Sequence, residues 1–194
     1  MRQIGITLLI SAFVLCGAGP STLLLAQHGV VSVDWKAELE KAEAGIAKNP
    51  NSAFWHNQAS VAYDALGYFE IAVKELKLAS TLDPDDPSHH YSLFALYQRK
   101  GTLRQQRKAL LSALDLDGGN PLGRFELGVV LEKEGYFEES LSEYRPAKLL
   151  AANVQGPEYT DRRGNPFEIE FVRKNVDDYI KRVAKLKESK ECKK

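Results

Sequence analysis

The chain has 194 residues, and its 26 Lys and Arg are matched by 26 Asp and Glu, so the formal net charge is zero. That length makes one domain the default and allows a sizeable core. The balance excludes both the overall basic field that draws proteins to nucleic acid and the acidic excess of a solvated, disordered chain.

After Met1 and Arg2, the run from Ile4 to Ala26 carries no charged residue. A basic start, an apolar stretch from Ile4 to Leu15, then Gly17, Gly19 and Pro20 follow the order of a secretory signal, with cleavage after Ala26 or after Ala18. A bilayer takes about 20 apolar residues, so the same run is also long enough to span one. Residues 1–26 therefore read as a signal peptide or an N-terminal membrane anchor. In both readings everything beyond Asp34 is exported: periplasmic or secreted, or membrane-anchored with the rest of the chain outside the cytoplasm. Cys16 follows Leu15, where a lipidated cysteine wants a small neighbour. Once a leader is removed, Cys192 stands alone, as an exposed thiol or an intermolecular partner.

The next element is a helix over 34–49, "DWKAELEKAEAGIAKNP", with Asp34 as N-cap and Pro50 as stop. Trp35, Leu39, Ala42 and Ile46 share one of its faces. Then the chain repeats itself. "GYFEIAVKEL" begins at Gly67 and "GYFEESLSEY" at Gly135, and "GTLRQQRKAL" begins midway between them, at Gly101. A period of 34 residues marks a stacked helix–turn–helix unit, and phasing on the glycines gives repeats at 53–86, 87–120 and 121–154. In the first, Ala59, Ser60 and Tyr63 lie on helix A, and Phe69, Ala72, Leu76 and Ala79 on helix B. The third places Leu127, Gly128 and Leu131 before its turn, then Phe137, Ser140, Tyr144 and Ala147. Pro146 should kink or end that last helix. "NVQGPEYTDRRGNP" is turn-rich, so 155–166 is expected to be a loop. Arg162 and Arg163 within it offer charge to an anion, as loops commonly do. Phe167, Phe171, Val172, Val176, Tyr179, Ile180, Val183 and Leu186 then form an apolar stripe over 167–188, a helix suited to capping the last repeat. Residues 189–194 read as a basic tail.

The chemistry-bearing residues are sparse. His28, His56, His89 and His90 are the histidines. Neighbouring helical residues point about 100° apart, so His89 and His90 cannot both face one ion. "DPDDPSHH" reads as a helix cap instead, with Asp86 before Pro87. No paired-histidine zinc motif, phosphate-binding loop or serine nucleophile elbow occurs. No catalytic residue, metal ligand set or cofactor is expected.

"ASVAYDALGYFEIAVKELKLASTLDP" and "ELGVVLEKEGYFEESLSEYRPA" resemble the tetratricopeptide repeat, with its Leu-Gly-Tyr positions on helix A and its Ala, large residue, Ala and Pro on helix B. The middle copy departs from that pattern at Phe94, Gln106 and Gly118. The resemblance implies an all-α protein: a right-handed α-solenoid of three such repeats, with N-terminal and C-terminal flanking helices. It also implies a concave groove along the A helices. The groove would be lined by Phe54, Asn57, Val61, Asp64 and Ala65; by Ser88, Tyr91, Ala95, Gln98 and Arg99; and by Leu122, Phe125, Val129, Glu132 and Lys133. The carboxylate clamp of chaperone-binding members is absent, because Val61, Ala95 and Val129 stand where its Asn would be. Tyr91 and Phe125 could equally pack against the C-terminal helix or the loop. The function implied is an exported protein–protein interaction scaffold that holds a peptide or helix in the groove, with a structural subunit of an envelope assembly or homo-oligomer as the alternative. An enzyme fits less well, since no polar groups converge. The partner is a protein or peptide rather than nucleic acid, and the membrane enters only through an uncleaved leader.

Overall fold

The computed structural model describes residues 24–26, 29–31, 33–153 and 167–191. Strands β1 (Leu24–Ala26) and β2 (Gly29–Val31) pair antiparallel, Leu24 opposite Val31. Strand β1 falls on the run read as a leader or anchor, most of which lies outside the described residues, as do the 155–166 loop and both cysteines. From Trp35 onward the described elements are helices: α1 (Trp35–Lys48), α2 (Ala53–Ala65), α3 (Phe69–Leu82), α4 (Pro87–Lys100), α5 (Leu103–Leu116), α6 (Pro121–Glu134), α7 (Phe137–Asn153) and α8 (Phe167–Glu191). No described helix is long and apolar enough to cross a membrane.

The 34-residue period sets where helices start. Helices α2, α4 and α6 begin at residues 53, 87 and 121, and α3, α5 and α7 begin at 69, 103 and 137. Trp35, which opens α1, stands one further period before Phe69, so α1 occupies the register of a preceding helix B. Four of the starts carry a side-chain cap, whereas Ser52 before α2 and Tyr68 before α3 make no such bond. Asp34 accepts from the Lys36 and Ala37 N–H groups, Asp86 from Ser88, Asn120 from Gly123, and Thr102 forms a capping box with Gln105. Pro87 and Pro121 sit in the first turn, where an N–H has no helical partner to lose.

The turns inside the repeats differ in a way that explains the weaker middle copy. Gly67 and Gly135 adopt φ of 88° and 84°. Tyr68 N–H then reaches back to the Tyr63 carbonyl, and Tyr136 N–H to that of Leu131, closing α2 and α6 in Schellman turns. Gly101 instead sits at φ −100°, and Thr102 starts α5 by its own cap. Its lack of a side chain serves packing: a Cβ there would lie 2.6 Å from Tyr97 Cβ.

Small and large residues alternate across the helix pairs. Gly128 leaves room for Tyr144, whose ring edge would be 2.6 Å from a Cβ at that position, and Gly45 of α1 does the same for Trp55 of α2. Ala72, Gln106 and Ser140 occupy equivalent places on the B helices, and all three are buried. The two polar ones are satisfied: Gln106 Nε2 donates to the Tyr97 carbonyl and Ser140 Oγ to that of Gly128. Consecutive helices thus build one core cluster from α3 to α6 and a second from α6 to α8.

Two expectations need correcting. Pro146 does not end α7, which continues to Asn153. Proline removes one N–H bond, but the turns beyond it are held from outside: Ala147 and Ala151 are fully buried, and Arg173 Nε donates to the Ala151 carbonyl at 2.7 Å. Helix α8 runs to Glu191 rather than Glu188, so the basic tail is in part its last turn. Lys187 pairs there with Glu138, and Lys190 donates to the Gly135 carbonyl.

Candidate partner-binding groove

Helix α8 packs against both α7 and α6. Its pairings fix its direction. Lys190 meets Gly135, Lys187 meets Glu138, Lys148 meets Asp177 and Arg173 meets Ala151, so α8 runs antiparallel to α7. It therefore lies where helix A of a fourth repeat would lie. Its apolar face, Ile169, Val172, Val176 and Val183, is buried.

That placement decides the third repeat's share of the groove. Phe125 is 2% exposed, with the rings of Tyr144, Phe171 and Tyr179 at centroid distances of 5.4, 5.8 and 4.9 Å. It is core rather than groove lining. Leu122 and Val129 pack against the same cluster. Glu132 accepts two hydrogen bonds from Arg182, at 3.0 and 2.7 Å, and a third from Tyr144 Oη at 3.1 Å. Arg182 also stacks over the Tyr179 ring at 4.2 Å. Glu132 is thus the anchor that holds α8 to α6. Burial pushes the Tyr144 hydroxyl well above its usual range, helped by the Glu132 carboxylate, so it stays a donor. Lys133 remains exposed.

The second repeat is partly closed as well. Tyr91 is half-buried and leans on α6 where Gly123 leaves space; a Cβ there would be 2.6 Å from Tyr91 Oη. Ala95 and Ser88 are half-buried, and Gln98 and Arg99 are exposed. Gln98 Nε2 donates to Glu126 on α6, and Arg99 pairs with Asp64 on α2, so polar bridges tie the A helices across the groove floor. Burial raises the Glu126 carboxyl, with Lys133 opposing.

The first repeat stays open. Phe54 and Val61 are 59% and 44% exposed, and their spacing of seven residues puts them on one face of α2. Asn57 and Ala65 lie half-buried beside them. Phe54 is steadied by an edge contact with Trp55 at 4.9 Å.

Reading the sequence alone missed Glu126, which sits one position off the groove phase, and Arg182, whose role depends on where α8 comes to rest. The stripe on α8 did include Phe171 and Tyr179, but nothing local says that both would close on Phe125.

No protein-family model matches the sequence, and no curated protein matches it. Solved structures do resemble it. MamA aligns with a TM-score of 0.56 at 19% identity, covering 83% of this chain and 92% of its own. The Yersinia enterocolitica type III secretion chaperone SycD, in complex with a peptide of the translocator YopD, aligns with a TM-score of 0.55 at 21% identity, covering 69% and 92%. A thermophilic TPR protein of Thermus thermophilus gives 0.53 at 22% identity, over 71% and 70%. At such identities the likeness speaks for the fold, and this chain has the tetratricopeptide-repeat fold.

Proposed function

We propose that this protein is an exported interaction scaffold that binds an extended peptide or helix from a partner protein along the inner faces of α2 and α4. The observation that carries this reading is the exposure of Phe54 and Val61 beside the bridged pair Asp64 and Arg99, while α8 already covers Phe125. Apolar anchors with charged neighbours suit a peptide that seats one or two large side chains and aligns polar groups around them. SycD, of the same fold, is a chaperone solved with a peptide of its translocator, which supports a peptide ligand here. The role needs no catalytic group. Export rests on the uncharged run from Ile4 to Ala26 after Arg2.

A random-peptide display selection against the purified protein tests the groove. Selected peptides should bind Phe54→Ala or Val61→Ala at least 10-fold more weakly, roughly 1.4 kcal/mol or more. Leu149→Ala, a change at an exposed apolar residue on α7, should leave binding unchanged. Equal affinity for all three variants would remove the groove from the mechanism. Export is tested separately by adding protease to intact cells or spheroplasts: the repeats should be digested, and full protection would refute that placement.

A further inference from the structure

The joints between successive units recur at the 34-residue period, which allows them to be compared within one chain. Three equivalent positions read Asn49, Ser52 and Trp55 before the first repeat, then Asp83, Asp86 and His89, then Asp117, Asn120 and Gly123. The joint between the first and second repeats is the one where all three are metal-ligating types. In the structure, one donor atom from each of Asp83, Asp86 and His89 lies within 4.8 Å of the others.

The imidazole is what separates this cluster from an ordinary acidic turn. His89 is 3% exposed, and neither Nδ1 nor Nε2 has a hydrogen-bond partner among the described residues. Burying one unsatisfied polar atom costs about 1–3 kcal/mol, and an ion bound at either ring nitrogen would meet one of the two. His56 shows how the same fold treats a structural histidine. It is 5% exposed, with Nδ1 at 2.7 Å from Glu75 and Nε2 at 2.9 Å from the Pro50 carbonyl. His89 has no such arrangement among the described residues, yet one of its ring nitrogens lies within 4.8 Å of a carboxylate oxygen from each aspartate.

We propose that Asp83, Asp86 and His89 bind a divalent transition-metal ion of the zinc class, with water completing the shell. One imidazole nitrogen with two carboxylates suits Zn²⁺, whereas Ca²⁺ and Mg²⁺ want oxygen donors throughout. Donors about 2.1 Å from a tetrahedral centre stand roughly 3.4 Å apart, so no pair in the set has to close by more than about 1.4 Å on binding. Asp83 is exposed at the end of α3 and can make that movement by side-chain rotation. Asp86 accepts from Ser88 N–H at 2.9 Å, and a carboxylate offers about four lone-pair sites, so it can ligate an ion while keeping the partners it has. The ion would tie the last turn of α3 to the first turn of α4. It would thereby fix the angle between the two repeats whose A helices carry Phe54, Val61 and Arg99. His90 stays out of the set, since it points about 100° away from His89 around α4.

Zn²⁺ titration of the full chain by calorimetry and equilibrium dialysis tests this, with Cys16→Ser and Cys192→Ser introduced to remove thiol competition. One equivalent should bind and raise the melting temperature, while Ca²⁺ and Mg²⁺ do neither. Asp83→Asn and Asp86→Asn should each weaken Zn²⁺ binding at least 10-fold. Both variants should stay folded, because the amide in Asp86→Asn keeps an oxygen for the cap and Asp83 is exposed. Asp85→Asn, a charge-matched change outside the trio, should bind as the parent does. No stoichiometric Zn²⁺, equal affinity in the Asp83 and Asp86 variants, or an equal response to Ca²⁺ would each overturn the proposal.

Discussion

Truncating Phe125 to alanine separates a groove residue from a core residue, and the structure sets the size of the effect. The ring is 2% exposed and meets three aromatic rings with centroids between 4.9 and 5.8 Å. Arg182 on Glu132 and Lys187 on Glu138 pin α8 in its register against α6 and α7, which limits how far the helices can close on a shrinking side chain. The cavity would therefore stay largely open, which places the cost at about 3–5 kcal/mol, the range for a buried Phe cut to Ala. A double-mutant cycle with Tyr179→Ala should show coupling of about 1 kcal/mol, since edge-to-face aromatic pairs contribute beyond their buried area. Denaturant unfolding gives the totals. Hydrogen exchange locates them: amides in residues 167–191 should lose protection first while those of α2 and α3 keep theirs, as a solenoid passes strain mainly between neighbours. Phe125→Leu should recover most of the loss, because it keeps apolar volume. A cost below about 1 kcal/mol, with α8 still protected, would refute burial of Phe125 and return it to the groove.

Two further outcomes follow from the turns and the groove floor. Gly135→Val should cost about 2 kcal/mol or more, because a β-branched residue is strained at φ 84°, whereas Glu139→Ala on the exposed face of α7 should change little; equal melting temperatures would show that the turn is misassigned. Burial raises the Glu126 carboxyl above its usual 4.5, so the folded state holds that proton more tightly than the unfolded chain does. Its contribution is then complete below pH 4.5 and is lost as pH rises through the raised folded-state value. Glu126→Gln, which keeps an oxygen for Gln98, should melt higher than the parent at pH 7, with the gap closing toward pH 4. A variant less stable than the parent at pH 7 would contradict the desolvation.

Much of this architecture is written in local spacing. Six helix starts recur at 34 residues, and short-range chemistry accounts for five of them: a side-chain oxygen at the N-cap, a proline in the first turn, a glycine that takes positive φ; α2 has none of these, since Ser52 makes no cap bond. Such signals act within four or five residues, so they survive being read without coordinates. The weaker middle copy was legible too, through Phe94, Gln106 and Gly118, but the capping box of Thr102 and Gln105 that starts its second helix emerged only in the structure. What lay beyond the sequence was every outcome that depends on the resting place of α8. Its apolar stripe says that it must bury a face, but not against which helices. The packing of Val172, Val176 and Val183 in the cluster of α6 and α7, with long-range pairs such as Arg182 to Glu132, fifty residues away, and Arg173 to the Ala151 carbonyl, sets that. Once α8 lies along α6, Phe125 becomes core, Glu132 becomes an anchor and Pro146 sits in a helix braced from outside, while Phe54 and Val61 on the far repeat stay open. The same limit applies to Asp83, Asp86 and His89. Their spacing is visible in the sequence, but burial of one imidazole with neither nitrogen met among the described residues is a property of the packed joint between α3 and α4.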